Sequence, residues 1–124
     1  MNTVLRTAIY FANTYVLFSQ TGYCQDVLKT NPKEVHLLQD TAGARLFLVT
    51  LPPGGSLEKH THPAFIAYIL QGGTIEESYE DGTKETAQLT RGMNMKSPPM
   101  GVHSDKNIGK TTIKILMVEL TPKD

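Results

Sequence analysis

An all-β fold, an antiparallel sandwich or barrel, is the class this sequence predicts. Three observations carry that expectation. From Val35 onward, β-prone runs recur roughly every eight to twelve residues. Gly and Pro punctuate the gaps between them, and no amphipathic run of about ten residues or more offers a helix in the same stretch.

The elements follow in order. "VHLLQ" at 35–39 and "RLFLVTL" at 45–51 are separated by "DTAGA", and the second run stops at "PPGG", 52–55, a strong breaker. "LEKHTHPAF" places His60 and His62 two apart on one strand, where Pro63 removes a backbone donor and suits a strand start or a bulge. "AFIAYIL" at 64–70 ends at Gln71, Gly72 and Gly73. "TIEESYE" and "TKETAQLT" flank Asp81-Gly82, a dipeptide whose tolerance of positive φ suits a type I′ hairpin turn. A short "MNMK" strand, a "SPPMG" corner and the long run "TTIKILMVEL" at 111–120 complete a barrel of about six to eight strands. There is no internal repeat and no low-complexity tract.

Composition narrows the function. Twelve basic and twelve acidic side chains cancel, and no window concentrates Lys or Arg, so nucleic acid is not an expected partner. The single cysteine, Cys24, excludes an intramolecular disulfide and a Cys-rich zinc site, so any metal must be held by nitrogen and oxygen. No stretch approaches the roughly 20 apolar residues that span a bilayer. Residues 1–24, with Arg6 before an apolar run from Ala8 to Phe18, read either as a signal peptide or as a segment packed on the domain. The first reading sends the protein to the periplasm or outside the cell, and the second leaves it cytoplasmic. Residues 25–124 form the single domain.

The four histidines divide into two kinds. On a strand, side chains two apart share a face, so His60 and His62 can converge on one ion, although such a pair on a surface strand is more often solvated and idle. His103, beyond the Pro-Pro corner, is the candidate third ligand, whereas His36 has no partner at ligand spacing and reads as an exposed strand residue.

"GGSLEKHTH" followed by "AYILQGG" resembles the first motif of the cupin superfamily, with Gly54, His60, His62 and Gly73 at the family's spacing. Gly92, Pro99, Gly101, His103 and Asn107 match the second motif loosely, Val102 alone standing where that motif has two residues. The likeness spans about Val35 to Leu120 and is greatest to small single-domain bacterial cupins that end in "NIG" and "VEL", here 107–109 and 118–120. It implies a jelly-roll cupin barrel with His60, His62 and His103 turned into its lumen. Its functional content is thin, because the superfamily hosts isomerases, oxygenases, lyases and non-catalytic binders.

One departure stands out. The family's glutamate ligand falls at Ile66, which shares the parity of His60 and His62 and on a regular strand faces the same interior. Three neutral imidazoles would then hold one divalent transition metal, iron, zinc, nickel, copper or manganese, without a protein charge to offset it. Tyr68 has the same parity and is the candidate catalytic proton relay, against the plainer reading of a core ring with a wetted hydroxyl. Glu76, Glu77 and Glu80 read as a solvated hairpin edge, and Met93, Met95, Met100 and Met117 as pocket lining or core filler. The expected activity is metal-dependent chemistry, of oxidoreductase, isomerase or lyase type, on a small organic substrate. The alternative is a non-catalytic module for a small ligand or a metal. The edge strands and the N-terminal segment offer a contact for a homodimer.

Overall fold

Residues 25–121 are described by a computed structural model, so the expectation for residues 1–24 lies outside the described residues. A single helical turn, α1 (Val27–Thr30), begins where the Asp26 side chain accepts from the Leu28 amide at 3.1 Å. The backbone on either side of this turn lies against the next sheet: Thr61 N donates to Gln25 O, and Glu58 N donates to the Asn31 side chain at 2.7 Å.

Nine strands follow among the described residues, β1 (Val35–Thr41), β2 (Ala44–Leu51), β3 (Ser56–His62), β4 (Phe65–Gln71), β5 (Gly73–Tyr79), β6 (Lys84–Leu89), β7 (Asn94–Ser97), β8 (Met100–Asn107) and β9 (Ile113–Leu120). They form a five-stranded sheet, β1-β2-β9-β4-β7, and a four-stranded sheet, β3-β8-β5-β6. Every pairing of named strands is antiparallel. The all-β antiparallel expectation is met. The count exceeds the expected six to eight, because the polar text "MGVHSDKN" is a strand rather than the continuation of a corner.

Alternation sets the core. Phe47, Val49 and Leu51 of β2, Ile113, Ile115 and Met117 of β9, and Phe65, Ala67 and Ile69 of β4 are buried and face Leu57, Ile75 and Leu89 from the second sheet. Asn107, wholly buried at the end of β8, ties the sheets together. Its amide donates to Leu51 O at 2.9 Å and Thr111 O at 2.8 Å, and its side-chain oxygen accepts from Gly109 N at 3.0 Å. The buried Leu51 O is thereby satisfied. Gly72 permits another close approach, since a Cβ there would lie 2.2 Å from Leu89 O.

The Asp81-Gly82 hairpin forms, but not as a type I′ turn, which needs positive φ at both central residues. Gly82 alone has positive φ (+86°), Gly82 N donates to Tyr79 O, and Tyr79 N donates to Thr83 O. This is a type I turn followed by a left-handed glycine, and Asp81 Oδ1 accepts from Thr83 N across it.

Candidate metal centre

Two bulges aim the histidines. Between β3 and β8 the register passes from Leu57↔Asp105 to His60↔His103, which places an extra residue on β3, and then to His62↔Met100, which places one on β8. Leu57, His60 and His62 therefore all point inward, as do His103 and Asp105. The sequence offers a strand start or a bulge at Pro63; Pro63 lies between β3 and β4, and both irregularities of the β3–β8 pair fall before it. His36 is exposed on β1, as expected.

His60, His62 and His103 are all buried, and a ring nitrogen from each lies within 4.8 Å of the others, so the three could hold one metal ion. Each Nδ1 has an acceptor oxygen: His60 on Glu58 O at 2.7 Å, His62 on Glu119 Oε1 at 2.7 Å, and His103 on Gly101 O at 2.8 Å. Those oxygens make Nδ1 the protonated nitrogen of each ring and leave an Nε2 lone pair on each facing inward. His60 Nε2 and His62 Nε2 stand 3.0 Å apart. Burial lowers the His60 pKa to about 3 and lowers that of His103, so the neutral, ligating form is favoured at both.

Behind His62 runs a line of charge. Glu119, fully buried on β9, accepts from His62 on one oxygen and from Arg45 on the other, and Arg45 also donates to both carboxylate oxygens of Asp26, at 2.9 and 3.1 Å. The capping residue of α1 is thus coupled through two strands to an imidazole of the site. Nothing in the sequence reading singled out Glu119. The available signal was a carboxylate in register with Ile113, Ile115 and Met117 on the inward face of β9.

Ile66 and Tyr68 do not face the interior. They are 51% and 45% exposed on the outer face of β4, whose inward residues are Phe65, Ala67 and Ile69. Pro63 and Ala64 carry the chain from one sheet to the other, and parity counted from His62 does not survive that crossing. The placement of Tyr68 in the lumen is therefore corrected. So is the absence of a protein carboxylate: Asp105 lies with Oδ2 3.6 Å from His60 Nε2 and 3.8 Å from His103 Nε2. Burial, reinforced by Glu77, raises the Asp105 pKa to about 7.

A cavity of about 140 Å³ between the sheets opens beside the histidines. His62, His103, Asp105 and Glu77 are its polar lining, and Leu, Ile, Val, Ala, Phe and Met side chains make up the rest. Glu77 is thus part of the cavity rather than of a solvated edge, and Tyr79 donates to its Oε2 at 2.5 Å, which pushes the phenol's pKa up. Met95, Met100 and Met117 line the cavity, whereas Met93 is exposed.

The two-sheet fold superposes on solved cupin structures. A cupin domain from Bordetella pertussis superposes with a TM-score of 0.66 at 22% identity, over 71% of this chain and 92% of that one. The chain has the cupin fold. An RmlC-like cupin with a double-stranded β-helix fold from Methanocaldococcus jannaschii gives a TM-score of 0.55 at 20% identity, over 69% and 77% of the two chains. A Cupin_2 domain of an XRE family transcriptional regulator from Enterobacter cloacae gives 0.55 at 16%, over 72% and 96%. No family profile matches the sequence. No curated protein matches it either.

Proposed function

We propose that this chain is a small mononuclear metal-binding cupin that acts as a metal-dependent enzyme on a small organic molecule. The observation that supports this best is the convergence of three Nε2 lone pairs whose Nδ1 partners are already bonded to fixed oxygens. Three lone pairs aimed at one another repel unless a cation or a proton lies between them, and burial opposes the proton at His60 and His103. Adjacent donors on one first-row ion stand about 3 Å apart, the spacing of the His60 and His62 nitrogens. Imidazole donors suit zinc, iron, nickel and copper, and manganese less well. Bound there, such an ion would supply Lewis acidity to a substrate oxygen or, as iron or copper, access to dioxygen chemistry.

The chain's own residues define what enters. The cavity's volume is close to one that takes a benzene-sized guest, and most of its walls are aliphatic. With Glu77 and Asp105 present and no Lys or Arg among the described residues that line it, the cavity disfavours anions and suits an uncharged molecule with an oxygen at one end. The outward position of Tyr68 favours a second reading, a non-catalytic module for a small ligand or a metal, because it removes the phenol that would relay protons.

A homodimer is part of the proposal. Ile66, Tyr68 and Leu70 of β4 and Leu120 of β9 are exposed on the five-stranded sheet, a face that a second copy would cover.

Metal analysis of the purified protein, followed by titration of the metal-free chain with iron(II), zinc, nickel, copper and manganese, tests the metal. Stoichiometric uptake of one of them supports it, and uptake of none removes it. Turnover assays of the loaded protein then separate the enzyme from the binder.

A further inference from the structure

We propose that Asp105 is a fourth ligand, so that the ion sits among three imidazoles and one carboxylate and the anionic donor missing at position 66 comes instead from β8. The inference rests on the reading of the three histidines as a metal site.

Asp105 is 7% exposed, and among the described residues no group donates a hydrogen bond to its carboxylate. Among the described residues no Lys or Arg lies within salt-bridge distance of it, and Arg45 is already engaged by Asp26 and Glu119. Its cross-strand partner is Glu77, a group of like charge. A carboxylate so enclosed, without donor or counter-charge, is costly to keep in a folded chain. Its Oδ2 points at the His60 and His103 Nε2 atoms, 3.6 and 3.8 Å away. Those nitrogens are lone-pair carriers, since their Nδ1 atoms serve Glu58 O and Gly101 O, so neither offers Asp105 a proton. One divalent cation at the shared focus satisfies all of these atoms together.

The arrangement follows from the register. His103 and Asp105 are two apart on β8 and share its inward face, and the bulge on β3 brings His60 opposite His103. The consequence is electrostatic: a bound divalent ion carries a net charge of about +1 rather than +2 at its protein ligands. That favours a hard ion, manganese or iron(II), more than three imidazoles alone would.

The test uses the full chain, freed of metal and titrated with cobalt(II), read by competition for affinity and by the visible d–d absorption for coordination. Asp105→Asn is expected to bind cobalt at least about 10-fold more weakly than the wild type, with a changed spectrum and an unchanged circular dichroism spectrum. Equal affinity with an identical spectrum would overturn the role of Asp105 while leaving the three-histidine reading intact. Failure of the wild type to bind cobalt, zinc or iron(II) would overturn both. Should Asp105→Asn not fold, Asp105→Glu keeps the charge and adds a methylene. A folded Glu variant with a shifted cobalt spectrum supports ligation, and an unshifted one contradicts it.

Discussion

Glu119 Oε1 accepts a hydrogen bond from His62 Nδ1 at 2.7 Å, although Glu119 belongs to the five-stranded sheet and His62 to the four-stranded one. The contact fixes both the tautomer and the direction of an imidazole by means of a strand on the opposite wall of the barrel. It also makes the site sensitive to changes outside the cavity, because the same carboxylate holds Arg45 and, through it, Asp26.

Replacing Glu119 with Gln tests that coupling. The amide can accept from His62 only by turning its NH2 group toward the Arg45 guanidinium, donor against donor. Metal affinity is expected to fall about 10- to 100-fold, and the metal-free protein to lose about 1 to 3 kcal/mol of stability. Competition titration and urea denaturation read the two effects, and an unchanged affinity would show that His62 does not need its carboxylate.

The metal-free protein should respond to pH through two opposed groups. Burial lowers the His60 pKa from 6.5 to about 3, so the folded chain refuses a proton that the unfolded chain accepts, and this contribution to stability is lost as pH falls from 6.5 toward 3. Burial and Glu77 raise the Asp105 pKa from 3.8 to about 7, so its contribution is present below 3.8 and lost as pH rises toward 7. Each group changes stability by up to about 1.4 kcal/mol per pH unit. In metal-free Asp105→Asn the histidine contribution is unopposed, and its stability should fall from pH 6.5 to pH 4 more steeply than that of the wild type by about that amount. Parallel curves from denaturant titrations would contradict it.

Asn107 provides a test of the fold apart from the site. Substituting Ala leaves the buried Leu51 O, and the partly buried Thr111 O and Gly109 N, without their side-chain partners. The expected loss is about 2 to 4 kcal/mol in urea denaturation, with metal stoichiometry unchanged below the unfolding transition.

Much of this was legible in the residues. The strands β2, β4 and β9 announce themselves by apolar text bounded by Gly and Pro, and the His60–His62 pair is visible from spacing alone. What failed was inference across a sheet-to-sheet crossing. Counting from His62 points Ile66 and Tyr68 inward, but Pro63 and Ala64 lead into a strand of the other sheet, whose first residue, Phe65, faces in. Asp105 and Glu119 are not legible in the same way, because a charge on a strand reads as solvent-facing. Only the register of β8 against β3, and of β9 against β2 and β4, turns those two side chains toward the histidines.

The outer position of Ile66 makes a further prediction. Ile66→Lys should leave metal content unchanged, because the side chain is on the far face of β4 from the cavity. It should also shift the proposed homodimer toward monomer in sedimentation analysis, since covering this face with a second copy would desolvate the added charge. Loss of metal on this substitution would return position 66 to the interior.

The central claim is that His60, His62 and His103 share one ion, and anomalous scattering from crystals grown with zinc or cobalt measures it directly. A single strong peak is expected between the sheets, about 2.0 to 2.2 Å from the Nε2 atoms of all three histidines. A cavity without a peak at full metal loading, or an ion bound only at the surface, would contradict it.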